Sequence, residues 1–79
     1  MKKQDCLYLD GEITLASHGK YIVDLADTPL EAICTARRME KLRIGLMQGD
    51  VVTVEIPLLS MEPNSKRVHG RLVWRHRPN

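Results

Sequence analysis

The residues of this sequence most able to do chemistry are arginines close to its end. Arg71, Arg75 and Arg77 stand an even number of positions apart, so on a strand they share one face with Val73, at about 7 Å between alternate positions. That spacing is close to the phosphate repeat of an extended polynucleotide strand, and each guanidinium can pair with phosphate through two parallel hydrogen bonds. The pattern predicts a row of phosphate-binding groups; the alternative is a solvated edge strand whose charges prevent aggregation.

A second basic group lies in the middle of the chain, among residues that favour helix. Met39, Leu42 and Leu46 recur at helical spacing, and we predict a short helix over residues 36–42. Met39 and Leu42 are expected to cover the core rather than to contact a ligand, which leaves the basic side chains on the other side of the helix. The basic residues of this group are Arg37, Arg38, Lys41 and Arg43.

These two groups make the charge of the chain asymmetric. The net charge of +2 combines three lysines against six carboxylates in residues 1–35 with nine cations against four carboxylates in residues 36–79. The first part therefore carries −3 and the second +5, and seven of the nine cations are Arg, which pairs with phosphate and stacks on bases. A polyanion is the expected partner, and nucleic acid is the commonest polyanion of a cytoplasm.

The aromatic residues are assigned by their place in the alternation. Trp74 has the parity of Leu72 rather than that of the arginines, which predicts core packing, with stacking on a base as the alternative. Tyr21 is in register with apolar neighbours and leaves the same two interpretations open. Tyr8 is out of phase with the leucines beside it, so we expect it to be exposed.

Few residues suggest catalysis. Asp10 and Glu12 are two positions apart and could share a strand face, but no histidine or nucleophile accompanies them at a recognisable spacing. The glycines do not form a phosphate-binding loop. We therefore expect no catalytic residue, no enzyme activity and no cofactor.

Cysteine and histidine usage points away from metals and disulfides. There is no Cys-x-x-Cys pair and the three histidines stand singly, so no metal site is expected. Cys6 and Cys34 could form a disulfide, but without a secretory signal they are better interpreted as reduced thiols. No apolar run has the length of a membrane span. We expect a cytoplasmic protein with no membrane partner.

The elements that must position the basic groups are mainly strands. Apolar and polar residues alternate in five runs, which predicts strands whose inward side chains are aliphatic. Gly11 interrupts the first run where a strand could bend around a barrel corner. Turns are predicted at residues 17–20, 26–29 and 48–50, and a loop without secondary structure over residues 58–66. The predicted strands cover residues 7–15, 21–25, 30–34, 51–57 and 68–75.

The order of these elements predicts the fold class. Three strands, a short helix and two further strands is the order of an all-β, five-stranded oligonucleotide-binding barrel with a helix between strands 3 and 4. A five-stranded SH3-like barrel is the alternative, which the inserted helix disfavours. With 79 residues there is room for one hydrophobic core, so residues 1–79 are assigned to a single domain.

At this level of detail the chain resembles a known family over nearly its whole length. The motifs that carry the likeness are Gly11, the stretch 39–44, Gly-Asp-x-Val-x-Val-Glu at 49–55, and Gly-Arg-aliphatic-x-aromatic-Arg-x-Arg at 70–77. Together they are similar to bacterial translation initiation factor one, an S1-like barrel. The chain departs from the family at Cys34, at Ala36 to Arg38, at Glu40, where Arg is usual, and in a longer loop over residues 58–69.

The resemblance implies a function and partners. Members of the family bind the aminoacyl-tRNA site of the small ribosomal subunit through rRNA and a ribosomal protein, and they cooperate with the other initiation factors. The implied protein is a monomer without catalysis. Two alternatives stay open, an S1-like RNA chaperone and a protein-interaction adaptor. The expected RNA-binding residues are Arg37, Arg38, Lys41, Arg43, Arg71, Arg75 and Arg77.

Overall fold

The computed structural model describes residues 5–42, 45–62 and 64–76, which form one barrel with a short helix. All five predicted strands and the helix between the third and fourth are present, and a single turn of 3-10 helix, Leu58–Ser60, lies in the region predicted to have no element. The elements are β1 (Cys6–Ser17), β2 (Lys20–Leu25), β3 (Glu31–Thr35), α1 (Arg37–Lys41), β4 (Val51–Pro57) and β5 (Arg67–His76).

The strands close into a barrel in the order β1-β2-β3-β5-β4, with β4 pairing back to β1. All neighbouring strands are antiparallel except β3 and β5, which run parallel. This is the connectivity of the oligonucleotide-binding fold, so the predicted fold class is confirmed.

The core is aliphatic and takes alternate residues from every strand, as the period-2 pattern predicts. Cys34 lies inside this core, no disulfide joins it to Cys6, and burial raises the pKa of its thiol to about 12. The buried hydrophobic residues in the described part of the chain are Ile13, Val23, Leu25, Ala32, Cys34, Ala36, Met39, Val52, Val54, Ile56, Val68 and Leu72.

Gly11, where the sequence predicts that a strand could bend, lies where β1 pairs with two strands at once. It is buried where β1 pairs with both β4, at Val52, and β2, at Leu25. A Cβ at this position would lie 2.5 Å from the carbonyl oxygen of Asp24, a distance that Cβ atoms in folded proteins essentially never show. Any larger residue at this position therefore requires the backbone to shift where β1 pairs with both neighbours.

Two bulges change which residues face the core. In the β1–β2 pair Thr14 is an extra residue between Ile13 and Leu15, and it turns Leu15 outward, although the plain alternation predicts that Leu15 shares the face of Ile13. In the β4–β5 pair Val73 is an extra residue. The adjacent residues Thr53 and Val54 of β4 pair with Trp74 and Leu72, which leaves the residue between those two without a partner on β4.

The helix forms one residue shorter at each end than the predicted range 36–42. Met39 is buried in the core, as expected. Leu42 is 64% exposed, so its predicted place over the core is wrong. The helix ends at Lys41, so Leu42 lies in the turn that follows and does not continue the helical face of Met39.

Candidate nucleic-acid interface

A groove of about 610 Å³ opens where β3 ends and α1 begins. Three of its lining residues are cations predicted to bind phosphate, two from the helix and one from the last strand. The structure therefore brings one arginine of the last strand together with two cations of the helix group. The groove is lined by Thr35, Arg37, Lys41, Arg71 and Leu72.

The parallel pairing of β3 and β5 explains this convergence. Thr35, the last residue of β3, is in register with Arg71 of β5, and α1 begins two residues later at Arg37. On the helix Lys41 is the i+4 neighbour of Arg37, so both side chains stand on the same side. Two segments far apart in the sequence thus deliver their charges to one place.

The electrostatics of the groove favour an anionic ligand. Among the described residues its lining holds three cations and no carboxylate, and Arg37, Lys41 and Arg71 are all exposed. Glu55 pairs with Arg71 and offsets part of this charge, and the positive charge that remains favours an anion whose oxygens can accept hydrogen bonds from the three side chains. The arrangement is suited to a phosphate chain rather than to a neutral ligand.

Arg71 is held in place from β4 and β1. Its Nε donates to Glu55 Oε1 at 2.6 Å, and the hydroxyl of Tyr8 donates to Glu55 Oε2 at 2.8 Å. These hydrogen bonds lower the pKa of Glu55, first through Tyr8 and then through Arg71, and the bond to Glu55 raises the pKa of Tyr8. A guanidinium has five N–H donors, so the pair with Glu55 orients Arg71 without using all of its capacity for phosphate.

The rest of the predicted arginine row is split by the bulge at Val73. Arg71 faces outward opposite Glu55, whereas Arg75 pairs with the inward-facing Val52 and is half-buried. Arg75 donates a hydrogen bond to the carbonyl oxygen of Gly45, which ties the end of β5 to the segment before β4. The prediction that Arg71, Val73 and Arg75 share one face is therefore wrong.

The same bulge reverses the prediction for Trp74. Trp74 lies opposite Thr53 on the outer wall and is 62% exposed, so its predicted place in the core is wrong. Tyr21 is half-buried and packs against the core, and Tyr8 is 61% exposed, as its parity predicts.

Comparison with known proteins identifies the family. No family model matches the chain. Over 79 residues, however, the chain is 35% identical to translation initiation factor IF-1 of Rhodopseudomonas palustris, and the match covers 98% of this chain and 78% of that protein. The chain belongs to the translation initiation factor IF-1 family. The predicted resemblance is therefore confirmed.

Sequence reasoning missed a hydrogen-bonded cluster on the outer wall of this IF-1 family member. The Thr53 hydroxyl donates to Asp10 Oδ1 at 2.6 Å and lies 2.8 Å from His76 Nε2, which is itself 3.4 Å from Asp10 Oδ1. The hydrogen bond from Thr53, and next the interactions with His76, lower the pKa of Asp10. The three residues come from three strands, so only cross-strand register could have revealed the cluster.

Some of the predicted RNA-binding residues of this family member are not among the residues that the structure describes. Arg43 and Arg77 lie outside the described residues, and the Arg38 side chain is not described either. Glu40, the acidic residue at a position where Arg is usual, lies toward the β1–β2 hairpin: its Oε1 is 3.8 Å from where a Cβ of Gly19 would be. Its carboxylate is not part of the groove lining.

Two other features of this IF-1 family member concern metals and membranes. Within residues 5–42, 45–62 and 64–76, no three His, Cys, Asp or Glu side chains are grouped so that they could hold a metal ion. In the same part of the chain no helix is long and apolar enough to cross a membrane.

Proposed function

We propose that this chain is a translation initiation factor that binds the aminoacyl-tRNA site of the small ribosomal subunit, contacting rRNA and a ribosomal protein. It acts as a cytoplasmic monomer alongside the other initiation factors, and it works by binding, without a catalysed reaction. The relative's name supports the role in initiation. The site on the subunit rests on the resemblance together with the chemistry of the groove.

The observation that carries the proposal is the convergence of Arg37, Lys41 and Arg71 in one groove. Ribosomal RNA presents closely spaced phosphates, and a cluster of three cations can contact consecutive phosphates of one strand. Arg75 is on the same strand as Arg71 but is not part of the groove lining, and it stays in the proposal as a predicted contact. Arg38, Arg43 and Arg77 stay in the proposal as predicted contacts.

The direct test is co-sedimentation of the purified chain with isolated ribosomal subunits. We expect it to sediment with small subunits and not with large ones, and a tRNA anticodon stem-loop bound in the aminoacyl-tRNA site should compete with it. Arg37→Ala is expected to weaken this association, and Lys66→Ala, an exposed cation outside the groove lining, is the control.

The other outcomes separate the two alternatives. Equal binding to both subunits and to free single-stranded RNA would favour an RNA chaperone. Binding to small subunits that does not change between 50 and 300 mM salt would favour an adaptor that grips a protein, because phosphate contacts release counterions and become weaker as salt rises.

A further inference from the structure

Trp74 is the single tryptophan of the chain, and the barrel exposes most of its side chain. One exposed apolar residue is ordinary on a protein surface. What distinguishes Trp74 is the bulge at Val73, which interrupts the β4–β5 ladder just before it and turns the indole outward. Bulges recur beside functional sites because they redirect a side chain in this way.

The residue opposite Trp74 is polar and hydrogen-bonded. This register partner, Thr53, is held by Asp10 and His76, so the residue opposite the indole is fixed by two hydrogen-bonded neighbours. The outward face of β4 is mixed at this point, because Val51, two positions from Thr53, is 44% exposed. A flat ligand with its own polar edge matches these surroundings better than an aliphatic surface does.

The distance between Trp74 and the groove residue Arg71 indicates which kind of ligand could contact both. Arg71 pairs with Glu55 and Trp74 pairs with Thr53, so the two outward residues of β5 are two register positions apart. Two positions along a strand correspond to about 7 Å, which is close to the length of one nucleotide in an extended RNA strand. A strand whose phosphate lies against Arg71 can therefore bring the base of the adjacent nucleotide to Trp74.

We propose that Trp74 is a stacking subsite for one unpaired RNA base, adjacent to the phosphate groove of Arg37, Lys41 and Arg71. The proposal rests on the proposed function, because it takes the groove to hold RNA phosphates. Stacking on an aromatic face is tolerant of base identity, because every base has a π-face. The subsite therefore adds affinity for unpaired over paired RNA rather than selecting a sequence.

The test uses the fluorescence of Trp74, which reports on this one position because the chain has no other tryptophan. The chain is titrated with a nine-nucleotide unstructured RNA of adenine and uracil, and in parallel with an abasic ribose-phosphate strand of the same length. We expect the RNA to quench Trp74, while the abasic strand binds more weakly and leaves the fluorescence unchanged. Binding of both strands is measured independently by calorimetry.

Variants separate stacking from other roles of the side chain. Trp74→Ala should lower affinity for the RNA about 5- to 150-fold, the range for loss of one stacked base, and leave affinity for the abasic strand unchanged. Trp74→Phe keeps a ring and should retain most of the affinity. Leu59→Ala, which truncates an exposed apolar residue beyond the end of β4, is the matched control and should bind both strands normally.

Several results would overturn the subsite. Equal affinity of the chain for the RNA and the abasic strand, without quenching, would leave the groove in place and remove Trp74 from the interface. Quenching by small-subunit proteins and not by RNA would make Trp74 a protein contact. Failure of the chain to bind either strand or the small subunit would contradict the proposed function and the subsite together. The wild-type titrations decide among these results even if Trp74→Ala does not fold.

Discussion

Arg71 and Arg75 show how two identical side chains on one strand acquire different roles. Arg71 is exposed, lines the groove and is oriented by Glu55. Arg75 is half-buried and hydrogen-bonded to the Gly45 carbonyl. The extra residue between them changes the parity, so the environment of each arginine is set by the bulge and not by residue type.

This difference gives a prediction at the level of single residues. Arg71→Ala should weaken RNA or small-subunit binding by about 1–3 kcal/mol, the loss of one charge-assisted contact, and should lower the free energy of unfolding only by the contribution of its exposed ion pair with Glu55, at most about 1 kcal/mol. Arg75→Ala should instead lower the free energy of unfolding by about 1 kcal/mol, the usual net contribution of a hydrogen bond, with a smaller loss of affinity. Urea unfolding measures the free energy of unfolding, and co-sedimentation measures binding. If both variants lose stability and affinity to the same extent, Arg71 and Arg75 do not have different roles.

Glu55 makes the stability of the barrel depend on pH. Its pKa is lower in the folded protein than in the unfolded chain, because Tyr8 and Arg71 hydrogen-bond its ionised form. A lowered folded pKa adds stability that is fully present above the ordinary glutamate pKa of about 4.3 and is lost as pH falls through the folded value. Glu55→Gln should therefore reduce the loss of stability below about pH 4.3.

Urea unfolding at a series of pH values from 7 to 2 measures this effect. Tyr8→Phe removes one of the two hydrogen bonds to Glu55. The pH dependence of its free energy of unfolding should lie between that of the wild type and that of Glu55→Gln. If the free energy of unfolding of Glu55→Gln falls with decreasing pH in the same way as that of the wild type, the Tyr8–Glu55–Arg71 network does not contribute to stability.

At the level of elements, the barrel depends on β1 changing partners at one glycine. Gly11→Ala would place a methyl group 2.5 Å from the Asp24 carbonyl oxygen and 2.6 Å from Val23 Cγ1. Backbone must move to relieve this contact, so we expect a loss of at least about 1–3 kcal/mol in the free energy of unfolding.

Gly45→Ala is the matched control, because a Cβ at Gly45 meets nothing within 4 Å. We expect its urea midpoint to stay close to that of the wild type. If Gly11→Ala is equally harmless, β1 has other ways to bend and the close approach at Gly11 does not constrain the barrel.

For the whole molecule, the distribution of charge matters more than its sum. The positive part of the chain contributes the groove, and three phosphate contacts there predict a log-log salt slope of about −2 for single-stranded RNA. Arg37→Glu combined with Lys41→Glu should abolish small-subunit binding. For the RNA binding that remains measurable at low salt, the magnitude of the log-log salt slope should fall by about 1.4 units, because two of the three phosphate contacts are lost.

A matched double reversal tests whether position or net charge causes this effect. Lys66→Glu with Arg67→Glu changes the net charge equally, but Arg67 lies four residues before Arg71 on β5. That separation is about 13 Å, which exceeds the Debye length at physiological salt, so most of its influence on the groove is screened. Equal losses in the two double variants would show that long-range charge, rather than the groove, binds the RNA.

The sequence alone determined the strands, the helix and most of the core. Each of these depends on a local pattern: alternation sets the inward faces of β2, β3 and β4, and helix formers set α1. The charge of the second half of the chain also predicted a polyanionic partner. These properties need no knowledge of which strand pairs with which.

Only the tertiary structure decided how the basic groups and Trp74 are arranged. A bulge is defined by the register between two strands, so the extra residues Thr14 and Val73 leave no trace in the alternation of their own strand. Val73 alone moved Trp74 out of the core and separated Arg75 from Arg71. The groove likewise depends on the parallel pairing of Thr35 with Arg71. These two residues are far apart in the sequence and meet only when the barrel closes, so no local pattern predicts their contact.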